Sequence, residues 1–173
     1  MLRGINVSGQ KKIRMQDLRD LYASLGFSRV RSYVQSGNVI FESGLEDEEQ
    51  LIERIEARIE AVYGFSVPVL LQGSRDFQRV LKSNPFLHEG KAELKSLYVV
   101  FLRHKISPKA LEGLDNPNQS GDAFAVGEQE IFLDCPGGYG RTKFNNIFFE
   151  RLLDTVATTR NWKTVNKLCE LAG

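Results

Sequence analysis

The chain has little cysteine, little histidine and almost no net charge, and each shortage removes a class of explanation. Two cysteines in 173 residues, Cys135 and Cys169, cannot build a disulfide framework, and neither belongs to a C-x-x-C pair. The two histidines, His88 and His104, stand apart without an i, i+4 partner, so no metal motif is expected. No run approaches the roughly 18 to 20 apolar residues of a membrane-spanning helix, which sets aside a membrane partner. Met1-Leu2-Arg3-Gly4-Ile5-Asn6 lacks the positive flank, apolar stretch and small-residue cleavage site of an export signal. A cytoplasmic chain is the expectation. A net charge of +1 argues against a bulk polyelectrolyte partner. Neither G-x-S-x-G nor a glycosidase-like acidic pair occurs, and no cofactor motif is present.

What remains is an ordinary globular composition, 42% apolar and 26% charged, with enough length to bury a substantial core. The charge is unevenly spread. Residues 1 to 35 carry seven cations against two acids, a balance of +5, and residues 42 to 60 carry eight acids against two arginines, a balance of −6. The N-terminal third is therefore a candidate basic face, set beside the plainer reading of solvated surfaces.

Periodicity predicts a mixed order. Leu2 to Val7 reads as a first strand. Met15, Leu18, Leu21, Tyr22 and Leu25 recur at helical spacing and stop at Gly26. Arg29 to Val34 and Val39 to Phe41 form a hairpin about Ser36-Gly37-Asn38. An acidic first turn from Glu46 to Glu49 opens a helix that buries Leu51, Ile52, Ile55, Ile59 and Val62 and ends at Gly64. Ser66 to Leu71 reads as a strand, and Pro68 predicts an edge position for it. A connecting helix over Arg75 to Lys82 follows, capped by Ser74 and stopped before Asn84-Pro85. The second half repeats the scheme with a buried strand over Leu97 to Leu102. A helix opening at Ser107-Pro108 runs through Leu111 and Leu114, and Asp115 to Gly121 is polar loop. A hairpin over Asp122 to Val126 and Glu130 to Asp134 follows. Phe144, Ile147, Phe148 and Leu152 define the next helix. A last helix from Trp162, with Val165, Leu168, Cys169 and Ala172 on its apolar stripe, takes the place of a final strand.

The fold class expected is α+β: two ferredoxin-like (β-α-β-β-α) units in tandem, with antiparallel sheets and helices packed on one face. Residues 1–73 form the first unit and residues 74–173 the second, which carries the C-terminal helix, with one compact domain built from both as the alternative. The halves share element order rather than recognisable residues.

The segment richest in chemistry is Cys135-Pro136-Gly137-Gly138-Tyr139-Gly140-Arg141-Thr142-Lys143. Its glycines permit close approach of a ligand to backbone. Thr142 is a plausible cap for the helix behind, and Arg141 and Lys143 flank a helix start that favours anions. It is not a P-loop, because no Gly-Lys-Ser/Thr follows at the required spacing. A glycine-rich turn whose cations face water explains the residues equally well. Cys135, at the end of a strand, is expected to be partly exposed. Other polar clusters are Arg3-Gly4-Ile5-Asn6, Gln35-Ser36-Gly37-Asn38 and Thr158-Thr159-Arg160-Asn161. For these, local caps and turns are the competing explanation; either threonine or Asn161 could cap the last helix.

These same clusters, together with Gly140-Arg141-Thr142-Lys143 and Ala157 to Trp162, resemble the hallmark segments of a bacterial family known as domain of unknown function 1697. The resemblance runs nearly the whole length in the expected order, with Ser8-Gly9 standing where the family usually shows two glycines. It implies a duplicated ferredoxin-like α+β fold in an intracellular bacterial setting, and brings no activity, substrate or cofactor. The motif positions carried over, Arg3, Asn6, Gln35, Asn38, Arg141, Lys143, Arg160 and Asn161, are the candidate ligand-binding residues.

Three functions compete. The first is binding of a phosphate-bearing ligand, either a nucleotide or single-stranded nucleic acid, with Tyr33, Phe41 and Tyr98 as stacking aromatics where they face solvent. The second is an enzyme acting on a small anionic metabolite, with Arg141 and Lys143 holding developing charge. The third is an interaction or assembly module whose motifs serve folding alone.

Overall fold

The computed structural model describes residues 1–7, 9–88, 92–107, 110 and 121–173. The fold is α+β, with two antiparallel sheets. The chain divides into two compact units, Met1–Gln72 and Gly73–Leu171.

In the first unit, α1 (Met15–Ser24) buries Leu18, Leu21 and Tyr22 at i, i+3 and i+4, and Gly26 turns the chain away at φ +85°. The strands β1 (Ser28–Tyr33) and β2 (Asn38–Glu42) pair antiparallel, with a bulge at Arg29, whose φ is +50°. The Asp47 carboxylate caps α2 (Glu48–Tyr63) by accepting from the Gln50 N–H at 3.1 Å, and Gly64 closes it in the left-handed region at φ +74°. Leu51, Ile52, Ile55 and Ile59 are buried as expected; Val62 is instead half exposed, at 51%. Their core partners are Leu2, Ile5, Ile13, Val67 and Val69.

The expected strands at Leu2–Val7 and Ser66–Leu71 are not regular strands. They meet at a single antiparallel bridge between Leu2 and Val69. Met1 and Leu70 exchange bonds across it, and the Arg3 N–H donates to the Pro68 carbonyl at 2.9 Å. Gly4 at φ +73° and Asn6 at φ +56° then turn the chain out of extended geometry, which ends the ladder. On the other side, the Leu2 N–H donates to the Gly37 carbonyl at 2.8 Å. That approach is close enough that a Cβ on Gly37, which sits at φ +81°, would lie 2.8 Å from the Leu2 Cβ and 3.0 Å from Ile5.

In the second unit, α3 (Ser74–Ser83) starts one residue earlier than expected. Ser74 is its first residue, and the Asp76 carboxylate accepts from the Gly73 N–H at 3.0 Å. A single turn, α4 (Pro85–His88), follows. The apolar run Leu97–Leu102 is β3, and five of its six residues are buried. It lies between β5 (Glu130–Asp134) and β6 (Ala157–Asn161), and β4 (Ala123–Val126) completes the order β4-β5-β3-β6, antiparallel throughout. The expected helix from Ser107 through Leu114 and the loop that follows fall largely outside the described residues.

Two expectations are corrected here. The stretch Ala157–Asn161 is a strand, paired with β3 through Val100↔Thr159 and Val99↔Arg160, and not only the approach to the last helix. Its pattern hid it, because the buried positions are filled by Ala157, Thr158 and Arg160 rather than by large apolar side chains. The helix after the glycine-rich turn, α5 (Asn146–Leu153), begins beyond Phe144 and buries Phe149, while Ile147 is 53% and Leu152 36% exposed. Phe144, Phe148 and Phe149 meet edge to face around Phe124. The final helix, α6 (Trp162–Ala172), buries Trp162, Val165 and Leu168 as its stripe predicts.

Beside this sheet, the Arg79 guanidinium grips the Glu130 carboxylate with two bonds of 2.6 and 2.9 Å, and Glu130 is only 1% exposed. A buried carboxylate is tolerated only when so partnered. Gly127 makes room for it, since a Cβ there would come within 2.2 Å of the Glu130 Oε1.

Two stability measurements check this account by urea unfolding. Gly37→Ala combines a left-handed backbone with overpacking and lowers stability by about 3 kcal/mol, whereas Gly4→Ala, at φ +73° with open space around it, costs only about 1 kcal/mol. Arg79→Ala strands the Glu130 carboxylate and costs about 3 kcal/mol, while Arg79→Met combined with Glu130→Gln loses much less.

Candidate functional site

In the first unit, the site is organised by Asn6. Asparagine tolerates the left-handed region better than most residues, and its side chain is fully used there. The Asn6 Oδ1 accepts from the Ile13 N–H at 2.9 Å, and its Nδ2 donates to the carbonyls of Ile13 and Gln35, each at 2.9 Å. One carboxamide thus closes the loop between residues 6 and 13 and ties it to the hairpin turn. Lys11, at φ +45°, secures the same loop by donating from Nζ to the Ser66 carbonyl at 2.7 Å. Asn38 is likewise structural: it is wholly buried and donates to the Tyr33 carbonyl at 3.0 Å and the Ser36 Oγ at 3.1 Å.

The closed loop leaves a cleft of about 440 Å³. Asn6, Gly9 and Gln35 line it together with Lys12, Ile13, Arg14 and Met15, which lead into α1. Arg14 is the capping residue of α1, is extended, and supplies no side-chain cap to the helix amides. Those amides carry the positive end of the helix dipole. The Arg14 guanidinium turns back to Asp17 instead, with two bonds of 2.8 Å. That hydrogen bond, and then the carboxylate's charge, hold Arg14 above its ordinary pKa. Lys12 is exposed at the cleft. Arg3 is half-buried on the opening segment of the same unit.

In the second unit, the glycine-rich turn folds on itself. The Gly138 N–H donates to the Cys135 carbonyl at 2.9 Å, and the Arg141 N–H to the Gly138 carbonyl at 3.0 Å, giving a short 3-10 turn over Tyr139–Arg141. Arg141 and Lys143 are exposed. Thr142 is buried between them and accepts from the Phe144 N–H at 3.1 Å, so it does not cap α5. That role falls to Asn145, whose side chain accepts from the Phe148 N–H at 3.0 Å. The two cations therefore precede the helix, and its first turn is already capped.

The turn leans on β6 through hydroxyls. Tyr139 donates to the Thr159 Oγ1 at 2.9 Å, Thr159 donates to the Asn146 Oδ1 at 2.6 Å, and Tyr98 lies 5.2 Å from the Tyr139 ring. Arg160 is 7% exposed, and one of its nitrogens donates at 2.8 Å to both the Thr158 Oγ1 and the Thr159 carbonyl. Burial lowers its pKa to about 10, so it remains a cation at neutral pH. Asn161 caps α6 by accepting from the Thr164 N–H at 2.8 Å.

Of the candidates, Asn6, Asn38 and Asn161 are thus committed to backbone, and Arg160 is almost sealed. Gln35 and Asn6 meet at one cleft; Arg141 and Lys143 share one exposed turn. Lys12 and Arg14 were not singled out by motif. Their signal was the charge run Lys11-Lys12-Ile13-Arg14 directly ahead of a helix. The proposed stacking aromatics Tyr33, Phe41 and Tyr98 are each half-buried; Phe41 stacks on Phe27 at 4.5 Å and meets Tyr22 at 5.3 Å, and Tyr98 packs on Tyr139. Among the described residues, no group of three His, Cys, Asp or Glu could hold a metal ion, and no helix is long and apolar enough to cross a membrane.

Cys135 is buried rather than partly exposed, and desolvation pushes its thiol from 9.0 up to about 11 despite a bond from Thr142. The folded state therefore favours the protonated thiol. Its contribution is whole below pH 9 and is lost as pH rises toward 11. Cys135→Ala should flatten part of the decline in stability across that window, read by unfolding at stepped pH. At pH 8 a thiol reagent should modify half-buried Cys169 first and reach Cys135 only on denaturation.

Comparison with known proteins adds the following. No curated protein matches the chain. A solved structure of a conserved bacterial protein from Streptococcus pneumoniae is similar to it with a TM-score of 0.75 and 26% sequence identity, covering 100% of this chain and 96% of the other. The family described as "Protein of unknown function (DUF1697)" matches residues 1–132. That match spans most of the sequence, and the chain belongs to this family.

Proposed function

We propose that the protein binds a small phosphate-bearing ligand in the cleft at the start of α1. The observation that carries this reading is the start of α1, where Arg14 gives no side-chain cap, set at a cleft that Lys12 borders. Helix amides and a nearby ammonium suit the dispersed charge of a phosphate. The cleft's volume lies within the range of small-molecule sites, and Asn6 holds its wall in place before any ligand arrives. Ile13 and Met15 give it an apolar floor for the rest of the molecule. Single-stranded nucleic acid is the weaker candidate, because Phe41 and Tyr98 each already pack a ring neighbour and are half-buried. Arg141 and Lys143 form a second exposed basic spot, on a turn that offers no uncapped helix start.

The two units also read as a tandem pair of ferredoxin-like folds. In the second, the order β4-β5-β3-β6 supports the split β-α-β pattern. In the first, the opening segment lies between the end of the hairpin and residues 68–70, which is the corresponding arrangement in shortened form. A bacterial cytoplasm, rich in phosphorylated metabolites, is the setting this reading assumes.

A thermal-shift series with inorganic phosphate, nucleotides, sugar phosphates and short oligonucleotides tests the proposal. A ligand present at 100 times its Kd should stabilise the protein by about 2.7 kcal/mol. Lys12→Glu should abolish that gain, and Arg141→Glu should leave it in place. Loss on Arg141→Glu alone would move the site to the second unit. No stabilisation by any phosphate compound would end the proposal. A hit whose affinity falls steeply with salt, seen only with oligonucleotides, would favour nucleic acid instead.

A further inference from the structure

We draw no further inference here: the strongest candidate, the apolar groove that Ile147, Phe148 and Leu152 form with Arg151 along the outer side of α5, is an unpartnered helix face, and nothing in the structure shows what covers it.

Discussion

The three hydrogen bonds of the Asn6 side chain hold the first unit's cleft in shape. They join a loop to a hairpin turn across an interval of 29 residues. The Lys11 contact with Ser66, the Asn6 N–H bond to the Lys11 carbonyl and the bridge between Val7 and Gln10 support the same segment. The start of α1 inherits its position from Ile13, which both gives and receives a bond with Asn6. A polar side chain in a left-handed turn therefore fixes where the helix amides point. That is preorganisation by a backbone mimic, since the carboxamide presents one donor group and one acceptor as a peptide does.

The glycine at position 37 belongs to the same constraint. Its carbonyl receives the Leu2 N–H, and its missing side chain lets Leu2 and Ile5 lie against the hairpin. The close approach places the opening segment at the heart of the first core and leaves Arg3 and Asn6 at its polar margin. Stability and site geometry in this unit thus draw on one set of contacts. The second unit is organised differently. Its central strand is apolar on both faces, its buried Glu130 carboxylate is answered by Arg79, and its polar turn is anchored by the hydroxyls of Tyr139 and Thr159.

Much of the fold could be read from residue pattern where local chemistry and burial agree. The acidic turn from Glu46 to Glu49 and Gly64 mark the ends of α2, and Leu97 to Leu102 is a strand on length and apolarity alone. Reading failed where burial is achieved without large apolar residues. Thr158 and Arg160 are buried in β6, so a sheet strand looked like a polar cap. It failed again where several phenylalanines crowd one stretch, because Phe144, Phe148 and Phe149 admit more than one helix phase. The site was legible only as a set of polar residue types. An asparagine that caps a helix, one that bridges a loop and one that meets a ligand look identical in a sequence, and Asn6, Asn38 and Asn161 all bond backbone. The uncapped helix start was invisible for the complementary reason: it is marked by what Arg14 does not do.

Asn161 is at once the last residue of β6 and the cap of α6, with no intervening link. Strand and helix therefore meet at a single-residue elbow. Any tilt of the strand against β3 must swing the helix with it, and any rotation of the helix must twist the strand's final peptide. The hydroxyl chain from Tyr139 through Thr159 grips this elbow two residues before its bend. The glycine-rich turn is thereby tied to the strand that leads straight into the C-terminal helix.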